Sequence, residues 1–225
     1  EDISAKFFVT TVQQQLLRPT MIPLWFGNVI MPDQFSGQSS NGWAGSDWTG
    51  DLGWVYSSFY TDLGCWDWLA GYNSTLTSYM NNVSEGGALE DDMYYALGLI
   101  IKGFYYQQFT EAFGMIPYSE ASDPKITLPK YDDQIDIYKG IIADLDEAIT
   151  IIGSNNEAGS GFGILRENDV VFNGNMQNWK KAANSLKLRI ALRAHGGVGE
   201  DFSATTAAEA ISSGVLADDD ALFKG

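Results

Sequence analysis

Apolar residues recur at intervals of three and four over residues 132–152, where Ile135, Tyr138, Ile141, Ile142, Leu145, Ile149 and Ile152 fall on one face. That period predicts an amphipathic helix. Asp132 or Asp133 supplies its N-cap, and Gly153 stands where a left-handed C-terminal residue belongs. Looser stripes predict further helices over 3–18 (Phe7, Val9, Val12, Leu16, Leu17), 51–82 (Trp54, Cys65, Tyr72, Leu76), 89–113 (Leu89, Met93, Ile100, Phe104, Phe109) and 176–195 (Trp179, Ala183, Leu186, Ile190), with a short one over 204–213. Pro19 and Pro23 interrupt the pattern after the first. Residues 27–50 and 154–175 are rich in Gly, Asn and Ser, hold no period, and read as loops. Long ordered loops tend to carry function. No run of strict alternation marks a strand. The expected fold class is therefore all-α: stacked helical hairpins in a tetratricopeptide-like scaffold with long irregular loops, as one helical domain over 1–225, although no strict 34-residue consensus repeats.

Composition narrows the partners. The chain has 225 residues and a formal net charge of −16, from 29 acids against 13 bases. Phosphate binding needs a basic face, so nucleic acid is excluded as the expected partner. The lone cysteine, Cys65, makes no intrachain disulfide and no cysteine-based zinc cluster. No apolar run is long enough for a membrane helix, and the N-terminus shows no charged segment followed by an apolar core.

Candidate chemistry is sparse. His195, the one histidine, sits at a predicted helix end where a cation is favoured, and reads as a structural or surface residue. None of the HExxH, GxSxG, P-loop or GxGxxG patterns occurs. Asp47, Asp51, Asp62 and Asp67 lie among tryptophans and are the candidates for a glycosidase carboxylate pair, but acids this plentiful fall beside aromatics by chance. The "DDD" at 218–220 lacks the spacing of a calcium loop. Lys180, Lys181, Lys187, Arg189 and Arg193 share one predicted helix, and packing beside an acidic helix, such as that carrying Asp144, Asp146 and Glu147, explains them better than an anion site. On the same helix, Asn184 and Ser185 are expected to bond a neighbouring turn. No catalytic residue, metal ligand or cofactor is assigned.

The tryptophans are unevenly placed. Five of seven lie between Trp43 and Trp68. Trp66 and Trp68 hold helical positions, and at least one is expected in the core. Trp43 and Trp48 fall in the polar loop with Asn41, Ser46 and Asp47 beside them. Two readings stand. The indoles anchor the loop on the body, or they offer flat apolar faces to a sugar ring whose hydroxyls bond Asn41 and Asp47.

Three ordered blocks carry a resemblance. "FTEAFGMIPYSEA", "PKYDDQIDIYKGIIADLDEAI" and "NWKKAANSLKLRIALR", together covering 109–193, resemble the SusD/RagB family in its SusD-like branch. Met115 departs from the pattern, in which an acid is common. The resemblance implies a non-catalytic surface lipoprotein of the Bacteroidetes outer membrane. Such proteins capture an oligosaccharide, or in some members a peptide, and deliver it to a SusC-like TonB-dependent transporter. It further implies that this chain is the N-terminal half of a longer protein, held to the membrane through an N-terminal lipid anchor that this sequence does not contain. The blocks themselves read as architecture: Pro117 ends one helix and the region 131–133 starts the next. The ligand-binding expectation rests on Asn41, Trp43, Asp47 and Trp48. An all-helical glycoside hydrolase or polysaccharide lyase is the alternative, and a protein-binding helical scaffold a third.

Overall fold

The computed structural model of the protein describes residues 4–17, 36 and 66–217. These include six α-helices: α1 (Lys6–Leu17), α2 (Asp67–Val83), α3 (Asp92–Phe113), α4 (Gln134–Ile152), α5 (Met176–Ala194) and α6 (Ser203–Ser213). Short 3-10 turns occupy Gly161–Gly163 and Arg166–Asn168. Among the described residues the only extended pairing is an isolated antiparallel bridge between Ile116 and Asp132. The all-α expectation holds. The chain divides into two compact units, one of residues 1–14 and 75–225 and one of residues 15–74.

In the larger unit α3 is the central element. The Asp91 carboxylate caps its start, accepting the Met93 and Tyr94 amides at 2.9 and 3.1 Å. Tyr94, Leu97, Ile100, Ile101, Tyr105 and Phe109 are all buried, so the helix is apolar around most of its circumference and shows only a blurred stripe in sequence. It packs against α4 and α5, which also pack on each other, and α6 packs on α5. At Gly103 the three central helices meet: a Cβ there would stand 3.2 Å from both Ile141 of α4 and Leu186 of α5. Ile137, Ile141, Leu145 and Ile152 of α4, and Trp179, Ala183, Leu186 and Ile190 of α5, complete the core. Each fully buried Ile or Leu contributes about 1.5–3 kcal/mol. In α1, Val9 and Val12 are buried as expected, but Phe7 points outward and is 48% exposed.

Polar contacts fix the register. The buried Lys187 ammonium of α5 pairs with Asp146 of α4, and Lys102 of α3 pairs with Asp144 of α4 at 2.8 Å. Arg189 and Arg193 reach Glu111 on α3 at 3.4 and 3.0 Å. The basic helix thus packs beside carboxylates, as read from sequence, although two of its cations choose α3 over α4. The Asn184 amide donates to the Gly214 carbonyl at 2.9 Å, and Ser185 Oγ accepts the Leu216 amide at 2.9 Å. Both therefore bond the turn after α6, as expected.

Two boundaries differ from the sequence reading. Helix α3 stops at Gly114, whose amide donates to the Thr110 carbonyl at 2.7 Å, three residues before Pro117. At the start of α4, Asp133 is the N-cap residue but its side chain makes no capping bond, and the Asp132 carboxylate is engaged elsewhere.

Candidate functional site

The proposed ligand residues Asn41, Trp43, Asp47 and Trp48 lie outside the described residues, as do Cys65 and the alternative carboxylates Asp51 and Asp62. The sequence of the smaller unit, residues 15–74, carries six of the seven tryptophans. Its described end is the first half of α2. Leu69 and Tyr72 are buried there, Asp67 is exposed, and Trp66 and Trp68 are both half-buried. Neither indole is a full core residue, against the expectation for at least one of them.

The block "GMIPYSEA" forms a locked turn between α3 and α4. The Asp132 carboxylate accepts the amides of Ser119 and Tyr118 at 2.7 and 3.2 Å and the Ser119 hydroxyl at 2.9 Å. The Lys130 ammonium lies 3.2 Å from it. Burial pushes the Asp132 carboxyl up, but these hydrogen bonds outweigh it and hold the group below its usual value of 3.8. The Tyr118 ring stands edge-on to Tyr106 with centroids 4.8 Å apart, and its hydroxyl donates to Asp144 at 3.2 Å. Burial, then the nearby Asp144 charge, raises the Tyr118 phenol well above its ordinary range. Gly140 of α4 makes room for this ring, since a Cβ there would lie 2.5 Å from Tyr118 Cε1. Every polar group named here bonds another protein group, so the turn is a clamp between helices and offers no open site.

A second hub ties α1 to the loop before α5. Buried Asp169 accepts the Gln13 amide at 2.8 Å, the Val171 and Gly174 backbone amides at 3.0 and 2.9 Å, and the Trp179 indole N–H at 2.8 Å. The Gln13 carbonyl in turn accepts the Val170 amide at 3.0 Å. A buried carboxylate with donors on both oxygens is satisfied. Nothing in the spacing of Gln13 and Asp169 marks this pairing, which spans most of the chain.

Chemistry-bearing constellations are not found among the described residues. No group of three or more His, Cys, Asp or Glu is placed to hold a metal ion. His195 follows α5, is exposed, and places Nδ1 3.1 Å from the Glu200 carboxylate. Three exposed aromatics lie around the start of α1, where Phe7, Phe8 and Phe162 are 48%, 37% and 62% exposed, and a fourth, Tyr131, is 53% exposed in the turn before α4.

Comparison with known proteins places this architecture. Residues 8–224 match the family described as "SusD-like_2: Starch-binding associating with outer membrane". Among solved structures, a chitin-binding protein is 26% identical with a TM-score of 0.77, over 96% of this chain and 45% of that one. A SusD homologue from Bacteroides ovatus is 25% identical with a TM-score of 0.78, over 96% of this chain and 42% of that one. A SusD-like protein from Bacteroides thetaiotaomicron is 25% identical with a TM-score of 0.74, over 94% and 42%. The chain thus spans less than half the length of these structures. No curated protein matches it. With nearly its whole length matched by the family model and its helices superimposing on solved members, the chain belongs to the SusD-like family.

Proposed function

We propose that this protein binds an oligosaccharide and leaves it chemically unchanged, as part of a longer surface lipoprotein of the outer membrane that passes its cargo to a SusC-like TonB-dependent transporter. The observation that carries this reading is the family match over residues 8–224, with its description of starch binding and outer-membrane association. A chitin-binding relative at 26% identity supports the same ligand class. The sequence supports the place of binding: Trp43 and Trp48 in a polar loop with Asn41 and Asp47 combine stacking surface with hydrogen-bonding groups. One aromatic contact adds about 0.5–1.5 kcal/mol beyond burial of area, which suits a capture protein that must later release its cargo.

Isothermal titration against maltohexaose and chitohexaose, followed by analysis of the recovered sugar, tests the proposal. Saturable binding with intact oligosaccharide recovered is expected. Silence toward both sugars counts against it, and release of new reducing ends would replace it with the glycosidase reading.

A further inference from the structure

Phe162 stands at the tip of a tightly built loop. Its ends, Ala158 and Leu165, are fully buried and joined by a 3.1 Å bond from the Leu165 amide to the Ala158 carbonyl. Inside the loop the Gly163 carbonyl accepts the Tyr94 hydroxyl at 2.6 Å. Gly159 has φ +75°, and a Cβ there would meet the Gly163 oxygen at 2.2 Å, so the tight return requires glycine. This construction holds a phenyl ring in solvent at 62% exposure. A rigid loop displaying an apolar ring loses little entropy when something docks on it.

The ring does not stand alone. Phe7 of α1 lies beside it, with centroids 6.1 Å apart and planes inclined by 57°, and Phe8 follows at 37% exposure. The Lys6 ammonium donates to the Phe162 carbonyl at 2.6 Å and sits 4.0 Å from the Phe162 centroid and 5.2 Å from that of Phe7. No carboxylate among the described residues lies within ion-pair distance of Lys6. This is an ammonium held by a carbonyl between two exposed aromatic rings.

We propose that Lys6, Phe7 and Phe162 form an accessory subsite for an acidic pyranose, a sugar ring bearing a carboxylate, within the glycan the protein captures. The C–H face of the ring lies on a phenyl ring, and the carboxylate pairs with the Lys6 ammonium, which keeps donors beyond its bond to Phe162. The proposal takes its ligand class from the carbohydrate-binding reading above and adds the charge and the place. An acidic peptide shares the charge but lacks the flat saturated ring, so it serves as the competing occupant in the test.

Tetragalacturonate, chitotetraose and poly-glutamate are titrated at low ionic strength into the wild type, Phe162→Ala, Lys6→Gln and Trp43→Ala/Trp48→Ala, with melting temperatures measured in parallel. Both Phe162 and Lys6 are surface residues, so these variants are expected to melt with the wild type. Tetragalacturonate affinity should fall about tenfold or more in Phe162→Ala and in Lys6→Gln, and stay unchanged in the tryptophan variant. Unchanged affinity in either single variant overturns the subsite, as does a wild type that does not bind tetragalacturonate. Poly-glutamate binding with the same dependence on both residues overturns the sugar as occupant. Loss of every sugar in the tryptophan variant alone refutes this subsite and upholds the loop reading. Tetragalacturonate binding through Phe162, with silence toward neutral sugars, does the reverse.

Discussion

The indole N–H of Trp179 donates to the carboxylate of Asp169 across 2.8 Å, inside the larger unit and out of solvent. The same carboxylate gathers Gln13 from α1 and two backbone amides of its own loop. Asp169→Ala leaves these donors without an acceptor. Orphaned buried donors cost about 1–3 kcal/mol each before relaxation, so a net loss of roughly 3 kcal/mol is expected in chemical denaturation. Trp179→Phe removes one donor and keeps the edge-on contact with Phe172, at 5.0 Å between centroids, so its loss should be smaller. Equal losses in the two variants would show that ring packing, and not the carboxylate, holds the hub.

Gly140→Ala should destabilise the protein although alanine is the better helix former by about 1 kcal/mol. The added methyl meets the Tyr118 ring at 2.5 Å, and overpacking of this kind costs about 1–3 kcal/mol. In a double-mutant cycle with Tyr118→Ala the glycine substitution should lose most of its cost. Additive effects would place the clash elsewhere.

Acid should loosen the contact between α3 and α5. Burial raises the Glu111 carboxyl, but the hydrogen bond from Arg193 and the charges of Arg193 and Arg189 prevail, leaving it below its usual 4.5. A group depressed in the folded state stabilises fully above its unfolded value, and that contribution disappears as pH falls through the folded one. The melting temperatures of wild type and Glu111→Gln should therefore differ most near pH 7 and converge at about pH 3. A difference independent of pH would show that shape, and not charge, matters at this position.

What the sequence made legible follows from where each signal resides. Helix α4 is half-buried, so its burial pattern and its sequence period coincide, and the period over 132–152 matches Gln134–Ile152 to within two residues. Helix α3 is buried almost all round, and its stripe hid most of the core it supplies. Asp132 looked like a cap because it precedes a helix, but it bonds back across the bridge to Tyr118 and Ser119. Its partner lies in a turn with no regular register, which periodicity cannot reach. Spacing alone places Phe7 on the buried stripe of α1, but the ring is 48% exposed and lies beside Phe162 at 6.1 Å. The glycines of "GSGFG" mark a tight loop in the sequence, but the exposure of the ring between them is visible only in the structure. The tryptophan loop stands out by composition, and its residues lie outside those the structure describes.

The interhelix ion pair offers a sharper comparison. Asp146→Asn leaves the Lys187 ammonium, only 6% exposed, without its counter-charge, and should lower stability by about 1–3 kcal/mol. Lys187→Met removes the charge and keeps the stem, and should cost less. Thermal denaturation of both variants tests the order. A larger loss in Lys187→Met would show that the pair itself stabilises the bundle.

The most direct test of glycan capture at the tryptophan loop is calorimetric titration of chitohexaose and maltohexaose into the wild type and into Trp43→Ala/Trp48→Ala. The account predicts saturable binding of at least one sugar by the wild type, weakened about tenfold or more in the double variant at an unchanged melting temperature. Equal affinity in the two proteins, or no heat from either sugar with the wild type, would contradict it.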